Sequence, residues 1–357
     1  MRLLVINFEM DRLSRALPWS QHVVNLLAQK CEQVVVLTSH IGSYEQPANV
    51  YIEKIPARPY GIPQRVGGGF LVNLQAFQLI RKYRLDACFI HMAADWAYLL
   101  RPAFRLTGIP SLLWFAHGVI TPKTERDVRA ADRVVTSSPE GCRVDANNIR
   151  IIGQGIDTDT FVLPPLTNER NAIIAVNRIS PRKRIDLLIE VMRTIKQIAG
   201  APELHLKLVG TTAAERDQPY EHTLREQVWD GGLENQVQMV GYVPQKYIPR
   251  LYEEAFLHLN VSQTGSMDKT LLEALACGCP VLTSNEAFFD LLKDYPEFII
   301  REETAEAIAR QVIDLYQRRH SFDRVALRNL IAGHHDSRSY ADKIMAQLDE
   351  LVVARRK

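Results

Sequence analysis

The feature that most constrains this chain is an alternation that runs through it twice. Short β-branched apolar runs are separated by longer segments with helical periodicity. The first series places buried strands at residues 3–7, 33–38, 87–91, 111–115, 133–136 and 149–152, with helices such as 20–30 and 95–106 between them. The second places strands at 172–176, 204–209, 237–240, 256–260, 280–283 and 298–300, separated by helices such as 185–197, 271–276 and 305–318. Continuous apolar strands alternating with helices are the pattern of parallel sheets covered on both faces. The alternation breaks once, at residues 162–170, where Pro164-Pro165 and Thr167-Asn168 interrupt any periodicity and read as a linker. The expectation is an α/β chain of two doubly wound Rossmann-like domains, 1–165 and 166–336, facing across a cleft formed by the C-terminal edges of their sheets, where ligands of such sheets bind.

The 357 residues suffice for two such domains, and 46% apolar with 24% charged residues gives each a core. The formal net charge of +2 argues against a nucleic-acid partner, which would demand a larger basic excess. Two basic clusters, Arg81-Lys82-Tyr83-Arg84 and Arg355-Arg356-Lys357, read as solvated helix ends or as weak attraction to an anionic membrane surface. The five cysteines include no C-x-x-C pair, so no metal site is expected, and a reducing cytoplasm fits their odd number. The N-terminal apolar run is short and Glu9 and Asp11 follow at once, unlike a signal peptide. No apolar run reaches the roughly 18 residues of a spanning helix.

The richest local chemistry lies between Thr264 and Leu282. A strand ends near Asn260, a polar loop follows, a helix begins near Lys269 and stops at Gly278, and Pro280 opens the next strand. The first N–H groups of a helix lack intrahelical partners and attract anions, which makes Gly265, Ser266, Asp268, Lys269 and Thr270 candidate binding residues. Glu273, about one turn inside, could accept bonds from sugar or ribose hydroxyls; a plain crossover helix capped by Gly278 would look the same. After the first strand of the second series, Arg178, Arg182, Lys183 and Arg184 gather at a helix start, where cations oppose the macrodipole. A bound pyrophosphate would account for them, and surface basicity is the alternative. Gly153 and Gly155 permit a tight passage at the domain junction. Asp157-Thr158-Asp159 looks like the D-x-D of metal-dependent transferases, but a junction role is preferred, with Asp157 bonding backbone or a basic partner and Phe161 in the core. In the first domain His117 closes a strand and would point at the cleft; His91 closes another, with Asp95 four residues on. Ser20 is a candidate N-cap, and Gly67-Gly68-Gly69 reads as a loop or hinge before a helix from Phe70.

The ordered pieces Gly155-Ile156-Asp157…Phe161, Asn177-Arg178-Ile179…Lys183, Leu208-Val209-Gly210, Gly241-Tyr242-Val243 and Leu272-Glu273-Ala274…Gly278-Cys279-Pro280-Val281 resemble glycosyltransferase family 4, retaining enzymes of the GT-B fold. The match covers most of the chain, strongly from about residue 150 to 300. The resemblance implies a hexosyl transfer from a nucleotide-sugar to a hydroxyl acceptor, in glycan or polysaccharide biosynthesis, with no cofactor beyond the nucleotide-sugar co-substrate. It implies that Arg178 and Lys183 neutralise the donor pyrophosphate, that Glu273 is the second glutamate of an E-x7-E motif near the ribose, that the backbone at Val243 meets the base, and that His117 lies near the reacting sugar. It also implies that a final helix, about 337–357, packs back on the first domain. A glycan or lipid-linked acceptor would bring a cytoplasmic protein into peripheral contact with the inner membrane face.

One departure matters. Eight residues before Glu273 the family carries the first glutamate of the motif, and here Gly265 stands there. Asp268 or Gln263 could supply the missing carboxylate or amide from a shifted position. Two rival readings keep the fold and change the activity: a non-catalytic nucleotide-sugar-binding protein, which Gly265 favours, and a nucleotide-sugar epimerase, which needs acid and base carboxylates on both domains. A dinucleotide-binding dehydrogenase is disfavoured, because Asn7-Phe8-Glu9-Met10 follows the first strand in place of G-x-G-x-x-G.

Overall fold

The computed structural model describes residues 1–12, 14, 19–55, 69–165, 170–212, 215–263 and 265–356. They divide into two compact units, Met1–Gly155 with Ser337–Lys357, and Ile156–Asp336. The first holds seven strands: β1 (Arg2–Met10), β2 (Gln33–Ile41), β3 (Val50–Lys54), β4 (Ala87–His91), β5 (Ser111–Trp114), β6 (Arg133–Thr136) and β7 (Ile149–Ile151). All neighbours are parallel, in the order β3-β2-β1-β4-β5-β6-β7. Its helices are α1 (Trp19–Ala28), α2 (Gly69–Tyr83), α3 (Asp95–Leu99), α4 (Arg101–Thr107) and α5 (Pro122–Ala130).

The second unit holds five parallel strands, β8 (Ala172–Val176), β9 (His205–Val209), β10 (Val237–Gly241), β11 (Ala255–Asn260) and β12 (Val281–Thr283), in the order β10-β9-β8-β11-β12. They are crossed by α6 (Ile185–Gln197), α7 (Gln218–Asp230), α8 (Ile248–Glu254), α9 (Lys269–Ala276), α10 (Ala305–Gln317) and α11 (Arg324–Ala332). In α6 the buried residues Ile185, Leu188, Ile189, Met192 and Ile195 recur at three- and four-residue intervals, the stripe a covering helix needs. The last helix, α12 (Ser337–Arg356), belongs to the first unit. There Tyr340, Ile344 and Leu348 join α1 and the Leu3 and Val5 face of β1, while Leu4 and Ile6 point the other way into the core beneath α2 to α5. Tyr340 meets Trp114 edge to face at 5.1 Å, and Lys343 donates to the Ile152 carbonyl at 3.1 Å.

Strand order reverses between β1 and β4 in one sheet and between β8 and β11 in the other. At such a point the flanking loops leave toward opposite faces and open a crevice, the usual ligand position in this architecture.

The structure departs from the sequence expectations at identifiable places. β3 was not expected: only Val50 of its five residues is buried, so an edge strand carries no apolar run. The single helix expected at 95–106 breaks at Leu100, and Pro102 sits in the first turn of α4, where a missing N–H costs nothing. Residues 298–300 form no strand; the chain makes one bridge, Thr283 to Ile299, after a short turn Pro296–Phe298, and buries its apolar side chains without a ladder. Ser20 is buried inside α1, which begins at Trp19, and does not cap it. The division between units falls after Gly155, where the sequence placed it after residue 165. The reason is that Ile156 and Phe161 are buried in the second core, and Arg328 donates to the Phe161 carbonyl at 2.6 Å. Residues 166–169 of the expected linker, Gly67, Gly68, Pro18 and Thr264 lie outside the described residues. Among the described residues no helix is long and apolar enough to cross a membrane.

Candidate functional site

The site begins with three strand ends held in contact by glycine. Gly210, just past β9, has φ +132°, and a Cβ there would lie 1.9 Å from the Asn177 carbonyl oxygen. Only glycine lets the β8 and β9 ends approach this closely. The Asn177 N–H donates to Val209 at 2.9 Å, Gly210 donates to Gly241 at 2.8 Å, and Ile179 donates to Thr211 at 3.0 Å. The loop bearing Arg178 is thereby pinned on both sides of an exposed guanidinium. Among the described residues, neither Arg178 nor Arg182 meets a carboxylate.

The other two cations of the cluster are engaged. Arg184, in the left-handed region at φ +48°, pairs closely with Glu303. Lys183 ends the short turn Pro181–Lys183, and its ammonium donates to both Asp268 oxygens at 2.8 and 2.9 Å and to the Ser262 hydroxyl at 3.1 Å. Asn260 donates to the same carboxylate at 3.1 Å, and Gln263 N–H reaches the Arg182 carbonyl at 3.1 Å. Lys183 and Asp268 are 11% and 14% exposed, so this ion pair is largely desolvated yet supplied with hydrogen bonds. Burial pulls the Asp268 carboxyl up, but Lys183, then Asn260 and Ser262, outweigh it and hold it below its ordinary value. The pair joins the loops after β8 and β11, at the reversal of strand order. Of the two residues that could stand in for the missing carboxylate at Gly265, Asp268 turns its oxygens to Lys183 and Asn260, and Gln263 joins the Arg182 carbonyl through its backbone N–H. Asp268 occupies the N-cap of α9 and makes no side-chain cap bond.

Helix α9 brings the remaining residues. Met267 is buried and anchors the preceding loop. Gly265 has φ +64°, and the Ser266 carbonyl accepts from Asn285 at 2.8 Å. The Thr270 carbonyl accepts from the Tyr252 hydroxyl at 2.9 Å, and the Thr270 hydroxyl is buried without a hydrogen-bond partner among the described residues. Glu273 is buried, and Gln245 donates to its Oε1 at 3.1 Å. Burial raises the Glu273 carboxyl to about 7, against the opposing pull of Lys269 and the Gln245 bond. Burial likewise pushes the Lys269 ammonium well below its ordinary value, with Glu273 opposing. Val243 lies half-buried against the second core, two residues before Gln245. Gln245 and Ser262 were not singled out in the sequence; both belong to loops that the motifs flank.

His117 is placed in the first unit, the other site residues in the second. It is exposed at the end of β5, its N–H donates to the Gly141 carbonyl at 2.7 Å, and Val119 N–H donates to its Nδ1 at 3.2 Å. His91 is buried and stacks on Phe89. The Asp157 carboxylate accepts from the Asp159 and Thr160 N–H groups at 3.1 and 3.2 Å and from the Thr160 hydroxyl at 2.7 Å, so it organises a turn. Among the described residues no group of three histidine, cysteine or carboxylate side chains could hold a metal ion.

Two doubly wound parallel-sheet domains, with the charged cluster at the switch point of the second, are the architecture of the GT-B class. Residues 159–329, nearly the whole second unit, match the family model of glycosyl transferases group 1. The chain is 29% identical over 187 residues to the amylovoran biosynthesis glycosyltransferase AmsK of Erwinia amylovora, covering 50% of this chain and 44% of that protein. It is 27% identical over 250 residues to a GDP-mannose-dependent alpha-(1-6)-phosphatidylinositol monomannoside mannosyltransferase of Mycobacterium tuberculosis, covering 61% and 62%. It is 26% identical over 175 residues to the mannosylfructose-phosphate synthase of Agrobacterium fabrum, covering 44% and 38%. In each case less than two thirds of the relative's length is spanned. The fold is shared along nearly the whole chain with Anabaena Alr3699/HepE, solved in complex with UDP (TM-score 0.78, 16% identity, 98% of this chain and 100% of that one). It is shared equally with the sucrose-phosphate synthase of Thermosynechococcus elongatus (TM-score 0.79, 17% identity, 99% of each).

Proposed function

We propose that the protein is a retaining glycosyltransferase that moves a hexosyl group from a nucleotide-sugar to a hydroxyl acceptor in glycan or polysaccharide biosynthesis. The observation that carries this reading is the meeting of the loops after β8 and β11 through Lys183 and Asp268, inside the region that matches the group 1 model. The pyrophosphate lies against Arg178, Lys183 and the first N–H groups of α9, with Gly265, Ser266, Asp268, Lys269 and Thr270 shaping that end of the site. Glu273 takes the ribose, and the backbone at Val243 meets the base. Departure of the nucleoside diphosphate breaks the anomeric C–O bond, and Arg178 and Lys183 stabilise the charge that develops on the leaving oxygens. The acceptor oxygen bonds to the same face of the anomeric carbon, and its proton leaves with the diphosphate. His117 stands near the transferred sugar. The nucleotide-sugar is a co-substrate, and no further cofactor takes part.

The acceptor is a glycan or a lipid-linked glycan, reached by peripheral contact at the cytoplasmic face of the inner membrane. Supporting that contact, α2 and α4 carry Arg81, Lys82, Arg101 and Arg105 and no carboxylate, and they expose Phe70 and Leu106.

Thermal unfolding with a panel of nucleoside diphosphates and nucleotide-sugars tests the donor site. A ligand of the folded state at a hundredfold excess over its Kd adds about 2.7 kcal/mol. A shift with one base, lost in Arg178→Ala, is expected. The absence of a shift with every nucleotide would remove this reading.

A further inference from the structure

Among the described residues the buried carboxylate of Glu273 has one side-chain donor from outside its own helix, and that donor comes from the loop that follows β10. Gln245 opens the short turn Gln245–Tyr247, two residues after Val243, and its Nε2 gives a hydrogen to Glu273 Oε1 at 3.1 Å. A buried carboxylate needs such partners, because an unsatisfied one is costly. Glu273 sits in the second turn of α9, where its neighbours are Lys269 one turn earlier, Cys277 one turn later, and the Tyr252 ring of α8. Among the described residues the hydrogen bond from Gln245 fixes Oε1, and no side-chain donor reaches Oε2.

We propose that Gln245 is a positioning residue for the nucleoside: its amide aims Glu273 at the ribose hydroxyls and ties the loop beside the base to helix α9. The proposal rests on the reading that Glu273 meets the ribose. Three consequences of the geometry support it. The amide is a neutral donor, so it orients the carboxylate without adding charge to the pyrophosphate end of the site. Its bond favours the ionised form of Glu273, the form that accepts from both hydroxyls of a diol. It also spans two elements that are separate in sequence, the β10 exit and α9, which a local turn could not join.

The experiment titrates UDP and GDP, and their 2′-deoxy counterparts, into the native chain, Gln245→Met, Gln245→Ala and Glu273→Gln, between pH 6 and 9. Gln245→Met keeps the volume of the half-buried side chain and removes only the amide. For whichever diphosphate binds the native chain, Gln245→Met is expected to weaken binding about tenfold to a hundredfold, the worth of one hydrogen bond to a charged group. The penalty for the 2′-deoxy ligand should shrink in the same variant, because a carboxylate no longer aimed gains less from the hydroxyl. Native affinity should fall as the pH drops through about 7, where Glu273 takes up its proton. In Gln245→Met that fall should begin at higher pH, since the lost bond had favoured the carboxylate. A purely structural role for Gln245 would lower thermal stability and leave the deoxy penalty and the pH midpoint in place, which would overturn the proposal. Loss of affinity in Glu273→Gln with none in either Gln245 variant would also overturn it while leaving the ribose role standing. Native affinity in Glu273→Gln would remove the ribose role and this inference with it while leaving the pyrophosphate site standing; binding of no nucleoside diphosphate of any base to the native chain would remove the donor-site reading as well.

Discussion

The two units are built on one plan and differ in what stands at the reversal of strand order. In the first, among the described residues, Arg12 after β1 pairs with Glu45 at the surface. His91 ends β4 packed on Phe89, and Met92 turns through φ +58°. In the second, the loops after β8 and β11 carry a lysine and an aspartate that find each other in a nearly dry crevice, next to an exposed arginine with no carboxylate partner among the described residues. The plan fixes where a ligand would go. The side chains on the loops decide whether anything there would hold one, and among the described residues a largely desolvated ion pair joins the switch-point loops of the second unit.

The sharpest way to break the comparison is through glycine. Gly210→Ala forces a methyl group to 1.9 Å from the Asn177 oxygen at a φ that side chains avoid. The expected cost is about 4–5 kcal/mol or more, read as loss of the cooperative urea transition of the second unit. Gly108, the left-handed end of α4 in the first unit, has open space around its missing Cβ. Gly108→Ala is expected to cost only about 1–2 kcal/mol. Equal effects would show that the second unit's strand ends are not held as tightly as their geometry requires.

The next largest difference concerns ion pairs. Lys183→Ala leaves Asp268 buried without its cation and is expected to cost about 3 kcal/mol in chemical denaturation. Its counterpart in the first unit is the buried Asp127, held by both Lys123 and Arg126. Removing the exposed Lys123 leaves Arg126 in place, so Lys123→Ala should cost less than about 1 kcal/mol. Arg178→Ala sharpens the same contrast from the functional side. Its guanidinium is exposed and meets no carboxylate among the described residues, so the melting temperature should stay put. Turnover with the correct donor should fall about a hundredfold or more, as when one preorganised donor to a developing anion is removed. A stability loss with intact turnover would reverse the roles assigned to Arg178 and Lys183.

How much of this could be read in the sequence follows from which interactions are local. The limits of α6 at residues 185–197 follow from its apolar stripe and match the structure. The strand starts at Gln33, Ala87, Ser111, Arg133 and Ala172 were likewise legible, because a strand buried on both faces is apolar through most of its length. β3 escaped because an edge strand need not be apolar, and the break at Leu100 escaped because Pro102 was counted within one helix. In the site, the motifs pointed to Arg178, Lys183, Asp268 and Glu273 as separate residues. That Lys183 and Asp268 pair across 85 positions, and that Gln245 reaches Glu273 across 28, depends on the strand order, which no spacing in the chain states. The cation that Asp268 meets was not legible from its position near Gly265, because it comes from another crossover.

The smallest predicted effect separates two buried carboxylates by their partners. Asp127 meets two cations directly, whereas Glu273 has an amide and a lysine whose own charge burial disfavours. Burial raises the Glu273 carboxyl to about 7, while the unfolded chain titrates near the ordinary value of about 4.3. Between those values the folded protein keeps a proton that the unfolded chain has released, so the Glu273 contribution to stability falls as pH rises through this window and is constant above it. Lys269 tilts the balance the other way, because its ammonium is disfavoured in the folded state, and it offsets part of the effect. Glu273→Gln removes the titrating group. Its stability relative to the native chain is therefore expected to improve by about 1–2 kcal/mol from pH 4 to pH 8. Urea unfolding at several pH values measures this, with Lys269→Met as the control that isolates the carboxylate. A flat difference across the window would mean that Glu273 is ionised throughout in the folded protein, and that the pH dependence of nucleotide affinity must be sought at another group.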